Sequence, residues 1–240
     1  MNDPQLALRR SQLYRFLADA YLYPTEDWTR DVPLLEPILS ALDLPDRLLG
    51  LRPIGLIDLQ AEHRHAFSLT GSLCYETEYG LPHEFRQSQE MADIAGFYRA
   101  FGFDVGGAIR ERPDHLSAEL EFMHTLTLKE ALSHESGQTE HRETCLDAER
   151  KFLRDHLARW IGWFKQRLDQ AEVDGPYAAL AGLTVLFVED EAERLGAQPE
   201  PMRIPEVKPT PFNPDFSCGD CPAVADLSSA RGADEKEIIL

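Results

Sequence analysis

Basic residues are scarce in this 240-residue chain. Twenty-four Lys and Arg stand against 42 Asp and Glu, a formal net charge of −18. Phosphate binding needs a basic face, so the balance argues against nucleic acid as a partner and favours solubility and attraction to cationic segments. Cysteine is sparse as well: four residues give no disulfide framework, and a reducing cytoplasm is the expected setting. No stretch reaches the roughly 18 consecutive apolar residues of a membrane span. The N-terminus carries Arg9-Arg10, but Arg15 and Asp19 interrupt the apolar run that an export signal would need. No phosphate-cradling GxxxxGK[ST] occurs, no GxGxxG follows a strand, and GxSxG is absent. The expectation is a protein without a cofactor that is not an enzyme.

Period-two alternation is missing too, and helical periodicity takes its place. Leu6–Tyr23 predicts an amphipathic helix with Leu6, Leu13, Phe16, Leu17, Ala20 and Tyr21 inward. Leu34–Leu42, Asp46–Leu51 and Ile57–Phe67 follow, the last with His63 and His65 on different faces and therefore a poor metal pair. Met91–Gly102 is a further helix. Arg112-Pro113-Asp114 opens the next, with Pro113 suited to the first helical position and Asp114 to the first turn. That pattern runs to about Leu132. Ser133–Thr144 is polar and glycine-bearing and is expected to be a linker. Cys145–Ala171 predicts one long helix, and Tyr177–Leu195 the last. From Gly196 onward Pro199, Pro201, Pro205, Pro209, Pro211 and Pro214 forbid regular helix.

These signals predict an all-α, bundle-like domain of about ten helices over 1–195. Its halves, about 1–132 and 145–195, are joined by the polar linker 133–144. A Pro-rich, extended tail spans 196–240. Neither half alone would bury enough surface to fold. The tail holds Cys218-Gly219-Asp220-Cys221, half of a four-thiolate metal site and outside the strand–helix context of a redox dithiol. It leaves three readings open: no role, a metal shared with other ligands, or a redox or partner contact.

Asp114 and His115 lie at a helix start beside a glycine-bearing connector, where either Asp114 caps the helix and His115 is a surface residue or pairs with Glu111 or Glu119, or the two reach a ligand. The segment Tyr75-Glu76-Thr77-Glu78-Tyr79 sits in a long loop. It is either a cover for the core or a recognition loop, because tyrosine combines apolar area with a hydroxyl and glutamate can face arginine.

The run ERPDHLSAELEFM, through Glu111, Pro113, Asp114, His115, Leu116, Glu119, Leu120, Phe122 and Met123, resembles the signature of the TorD/DmsD/NarJ-type family of redox-enzyme maturation chaperones. Met91–Phe103 looks like that family's preceding helix. Phe152-Leu153, His156-Leu157 and Trp160 resemble its later helix, and YAALAGLTVLFVEDE its last. Tyr75 and Glu76 match its tyrosine–glutamate loop, with Cys74 where the family usually has proline. The likeness covers roughly residues 10–195.

The resemblance implies a cytoplasmic chaperone for a dimethyl sulfoxide reductase-type molybdenum enzyme. Such a chaperone would hold the apo catalytic subunit, including its twin-arginine leader, until cofactor is inserted. It would be a monomer or homodimer. The implied contact residues are Tyr75, Glu76, Tyr79, Glu111, Asp114 and His115. The alternative is a nucleotide-binding or hydrolytic regulator on the same scaffold.

Overall fold

The first helix, α1 (Pro4–Ala20), begins where Asp3 accepts a hydrogen bond from the Gln5 amide at 2.9 Å and Pro4 occupies the first turn. Leu13, Leu17 and Ala20, with Tyr21 just past the helix end, are buried as the periodicity predicts; Tyr14 and Ala18 are buried beside them, and Leu6 and Phe16 only partly. In this computed structural model the described residues are 3–45, 48, 51–68, 74–80, 84–105 and 111–203. The predicted Asp46–Leu51 helix and the Cys218/Cys221 tail lie outside them, apart from Leu48 and Leu51.

A 3-10 turn, Trp28–Asp31, is capped by Asp27 and leads into α2 (Val32–Ala41). Then come α3 (Leu56–Phe67), a second 3-10 turn at Glu76–Tyr79, α4 (Glu84–Ala100), α5 (Leu116–Glu135), α6 (Thr139–Asp155), α7 (Leu157–Gln170) and α8 (Gly175–Leu195). The described residues thus form eight α-helices and two 3-10 turns, and contain no strand beyond an isolated antiparallel bridge between Tyr75 and His115. The all-α expectation holds.

The α1–α5 pair is the spine. On it α6 packs against α5, α7 packs on α8, and α8 meets α1 through Phe187 against Tyr14, ring centres 4.5 Å apart. One continuous core threads all of them, from Leu13 and Tyr14 through Leu120, Phe122 and Met123 to Phe152, Trp160, Phe164 and Phe187.

Three boundaries differ from the sequence reading. Residues 133–144 are not a linker. They are the end of α5, a three-residue turn and the first turn and a half of α6. Gly137, at φ +68°, makes that turn in a conformation that side-chain-bearing residues rarely adopt. The polarity of the segment is that of exposed helical faces, not of a connector. The predicted 145–171 helix is broken at His156, with φ −130° and ψ −99°, into α6 and α7. No proline or glycine marks the break. Finally, α5 starts at Leu116, so Pro113 and Asp114 precede the helix instead of opening it.

Met1–Pro205 form one unit. After α8, Gly196 at φ +65° ends the helix, and the chain to Arg203 runs back along α7: the Met202 amide donates to Arg159 O at 3.1 Å, and the Met202 side chain is buried.

Candidate functional site

Two short segments, Cys74–Gly80 and Glu111–Leu116, lie side by side because their backbones pair. The Leu116 amide donates to Cys74 O at 2.7 Å, and the Glu76 amide to Asp114 O at 2.9 Å. Tyr98 on α4 adds a hydroxyl bond to Pro113 O at 2.7 Å. The resulting platform brings together all six residues singled out from the sequence.

Asp114 is fully buried and saturated from within. Its Oδ1 accepts from Arg112 Nε at 2.9 Å. Its Oδ2 accepts from Arg112 Nη2 at 2.6 Å and from the Thr77 hydroxyl at 2.7 Å. This is a two-pronged guanidinium–carboxylate pair, the geometry that gives such pairs their strength.

His115 is the N-cap of α5: its Nδ1 accepts from the Ser117 amide at 3.1 Å. That bond places the proton of the neutral ring on Nε2. Burial lowers its pKa below the usual histidine value, against the opposing pull of Glu111 and Asp114. His115 is therefore a structural ring, with Tyr75 edge-on at 5.0 Å.

The accessible part of the platform is Tyr75, Glu111 and Arg112. The Tyr75 hydroxyl donates to Glu111 Oε2 at 3.0 Å, and the Arg112 guanidinium lies 4.5 Å above the tyrosine ring. Burial and the Glu111 carboxylate push the phenol up to about 12. Tyr79 is turned inward, tilted on Trp160 at 5.1 Å, with Arg167 over its other face at 4.2 Å. Glu78 is half-buried beside it, and its carbonyl accepts from Arg167 Nη2 at 3.2 Å.

Glu76 is fully buried and faces His156 Nδ1 at 3.3 Å. Neighbouring Glu119 accepts from Trp160 Nε1 at 3.2 Å.

Sequence reasoning passed over Arg112, Thr77, Glu119 and Trp160, and took His156 for a core or boundary residue. Arg112 stood inside the quoted motif, but spacing does not say which way a side chain turns. His156 was legible only as part of the likeness to the family's later helix.

The platform is poorly equipped for covalent chemistry. Burial raises the Cys74 thiol well above its ordinary value, and pushes that of Cys145 up to about 11. Reactive cysteines need the opposite shift. His115 spends its acceptor nitrogen on its own helix. Among the described residues no cluster of three or more His, Cys, Asp and Glu is arranged to hold a metal. No helix among them is long and apolar enough to cross a membrane.

Fold and platform together define a class: a helical protein whose polar centre is spent on holding a surface segment in place. The family follows from comparison with known proteins. The family model described as nitrate reductase delta subunit matches residues 34–166, and the chain belongs to that family. It is 31% identical over 193 residues to a chlorate reductase assembly chaperone protein from Ideonella dechloratans, covering 79% of this chain and 91% of the relative. It is 31% identical over 153 residues to a selenate reductase assembly chaperone protein from Thauera selenatis, covering 60% and 77%. With a chaperone protein TorD from Vibrio cholerae the identity is 28% over 106 residues, covering 44% and 46%. No solved structure matches. The expectation of a maturation chaperone and not an enzyme agrees with this membership.

Proposed function

We propose that this protein is a cytoplasmic chaperone that holds the apo catalytic subunit of a molybdenum oxidoreductase before export or assembly, and that it grips the client in part by its twin-arginine leader. The observation that carries the reading is the platform itself, Cys74–Gly80 against Glu111–Leu116. Its buried members, Glu76, Tyr79, Asp114 and His115, fix the backbone. Its rim, Tyr75 with Glu111, offers an aromatic face and a carboxylate to a visiting chain.

Energetics divide the work. An exposed acid–arginine pair is worth about 0.2–1 kcal/mol, so charge sets register and encounter rate. Apolar burial of about 400 Å² would contribute about 10 kcal/mol gross at roughly 25 cal/mol/Å², reduced by ordering the peptide. The relatives named for chlorate and selenate reductases support an oxyanion reductase as client.

The test is calorimetry with a synthetic twin-arginine leader peptide of an oxyanion reductase from the same organism. Removing the rim with Tyr75→Ala and Glu111→Gln together should weaken binding about tenfold or more. Equal affinity in the folded double variant would remove this site from the client interface.

A further inference from the structure

Behind the platform two buried oxygens lack a partner: Glu76 Oε1 and Glu119 Oε1. Both residues are fully buried. Their other oxygens are engaged, Glu76 Oε2 with His156 Nδ1 and Glu119 Oε2 with Trp160 Nε1. After burial, Glu76 is the charge that acts most strongly on Glu119, so the two carboxyls are neighbours. Two carboxylates are acceptors only and cannot bond each other. One proton placed between the Oε1 atoms makes the bond and satisfies both orphans at once.

The surroundings say which residue carries the proton. Glu119, on α5, meets Glu76 from the 3-10 turn, Asp114 from the preceding segment, Tyr98 from α4 and the neutral Trp160 from α7. None of these is a cation. Glu76 has an imidazole on its far side, His156 at the α6–α7 break, which in turn lies 3.7 Å from Asp93 of α4; Glu90 of α4, paired with Arg86, is the other charge that senses Glu76.

We propose that Glu119 is a positioning residue for the client-contact segment: as a neutral acid it donates a hydrogen bond to Glu76 and so fastens Cys74–Gly80 to α5 and α7. The role deepens the client-binding reading of the platform and rests on it. It also explains why a glutamate occupies an apolar layer between Leu116, Leu120 and Phe122, where leucine would pack at lower cost. Burial first, then the charges of Glu76 and Asp114, holds the Glu119 carboxyl well above the usual carboxylate range. A raised folded-state pKa means that the fastening is complete in acid and lost as pH rises through that value.

Hydrogen exchange of the Glu76 and Leu116 amides, which bridge the two segments, reads the fastening without any ligand. Glu119→Gln keeps a donor for Glu76 and an acceptor for Trp160. Its two amides should exchange as slowly as in the parent at neutral pH and stay protected in alkali, where the parent loses protection. Glu119→Leu keeps the bulk and removes the donor. Its two amides should exchange about tenfold faster, with those of Met123 and Leu126 unchanged as the control for folding.

Exchange in Glu119→Gln as fast as in Glu119→Leu, or parental exchange in Glu119→Leu, would overturn the role. Calorimetry on the same proteins separates this role from the client reading. Protected amides in parent and Glu119→Gln with no leader bound by either would keep the fastening and remove the leader. Leader affinity that follows the exchange rates, highest in the parent and Glu119→Gln, supports both.

Discussion

Asp114 shows what a single buried carboxylate does here. It accepts three side-chain bonds, two from Arg112 and one from Thr77, and its own carbonyl accepts the Glu76 amide. Replacing it with alanine strands a guanidinium and a hydroxyl. Arg112 is about half exposed and recovers part of its loss from water. The expected destabilisation is therefore about 1–3 kcal/mol, read from the urea midpoint at constant slope. Tyr75→Phe isolates the rim more cleanly: it keeps the ring against His115 and removes only the bond to Glu111, so stability should change by less than about 1 kcal/mol while leader affinity falls. The motif residues themselves were legible in the sequence, since Glu111, Asp114 and His115 stand in one run and meet Tyr75 and Glu76 in space. Their division into rim and interior was not. Whether a carboxylate faces outward depends on a neighbour such as Arg112 turning back on it, and residue spacing carries no record of side-chain direction.

At the scale of elements, most helices were visible as apolar periodicity, and the errors fell where periodicity is blind. A polar stretch such as Ser133–Thr144 is compatible with a linker or with the outer faces of two helices, and only tertiary packing decides. Likewise the α6–α7 break at His156 has no proline or glycine to announce it; the kink lets the imidazole reach Glu76, a partner 80 positions away. The α5–α6 turn permits a clean prediction. A Cβ at Gly137 would meet nothing within 4 Å, so Gly137→Ala would act through its φ of +68° alone. Alanine in that conformation costs about 1 kcal/mol, lowering the urea midpoint without touching the core or the platform. A much larger loss would mean that the turn is held by something other than backbone strain.

For the molecule as a whole, the residue that joins the helices is Arg10. It is buried on α1 and reaches three other helices. Glu191 of α8 takes Nε at 2.7 Å and Nη2 at 2.7 Å, Glu130 of α5 takes Nη1 at 2.6 Å, and Glu149 of α6 bonds Nη2. Arg194 and the Tyr14 hydroxyl complete the cluster on Glu191. Arg10→Met would leave buried carboxylates without their central cation and should cost about 3–5 kcal/mol in chemical denaturation. The apolar periodicity of α1 put Leu13 and Leu17 inward correctly but could not foresee a charge among them, because an arginine is buried only when its partners, from 120 to 181 positions away, converge on it.

The same cluster sets a pH dependence. Burial, together with repulsion from Glu130 and Glu191, pushes Glu149 up to about 7 even though Arg10 opposes it. Burial acts the same way on Glu191, but there Arg10 and Arg194 outweigh it and hold the carboxyl below its ordinary value. The unfolded chain releases a glutamate proton near 4.3. Glu191 therefore stabilises the fold above that point, and its contribution disappears as acid protonates it. Glu149 works in the other direction: the native state holds a proton that the unfolded chain gives up, so stability is shed progressively as pH climbs from about 4.3 to about 7. Their opposition places the optimum in mild acid. Thermal melts of the parent should peak there and decline toward pH 8, and Glu149→Gln, which needs no proton to remain neutral, should flatten the alkaline limb while leaving the acid limb unchanged. A parent melting curve that rises steadily to pH 8 would show that Glu149 is ionised in the cluster and that Arg10 balances all three carboxylates.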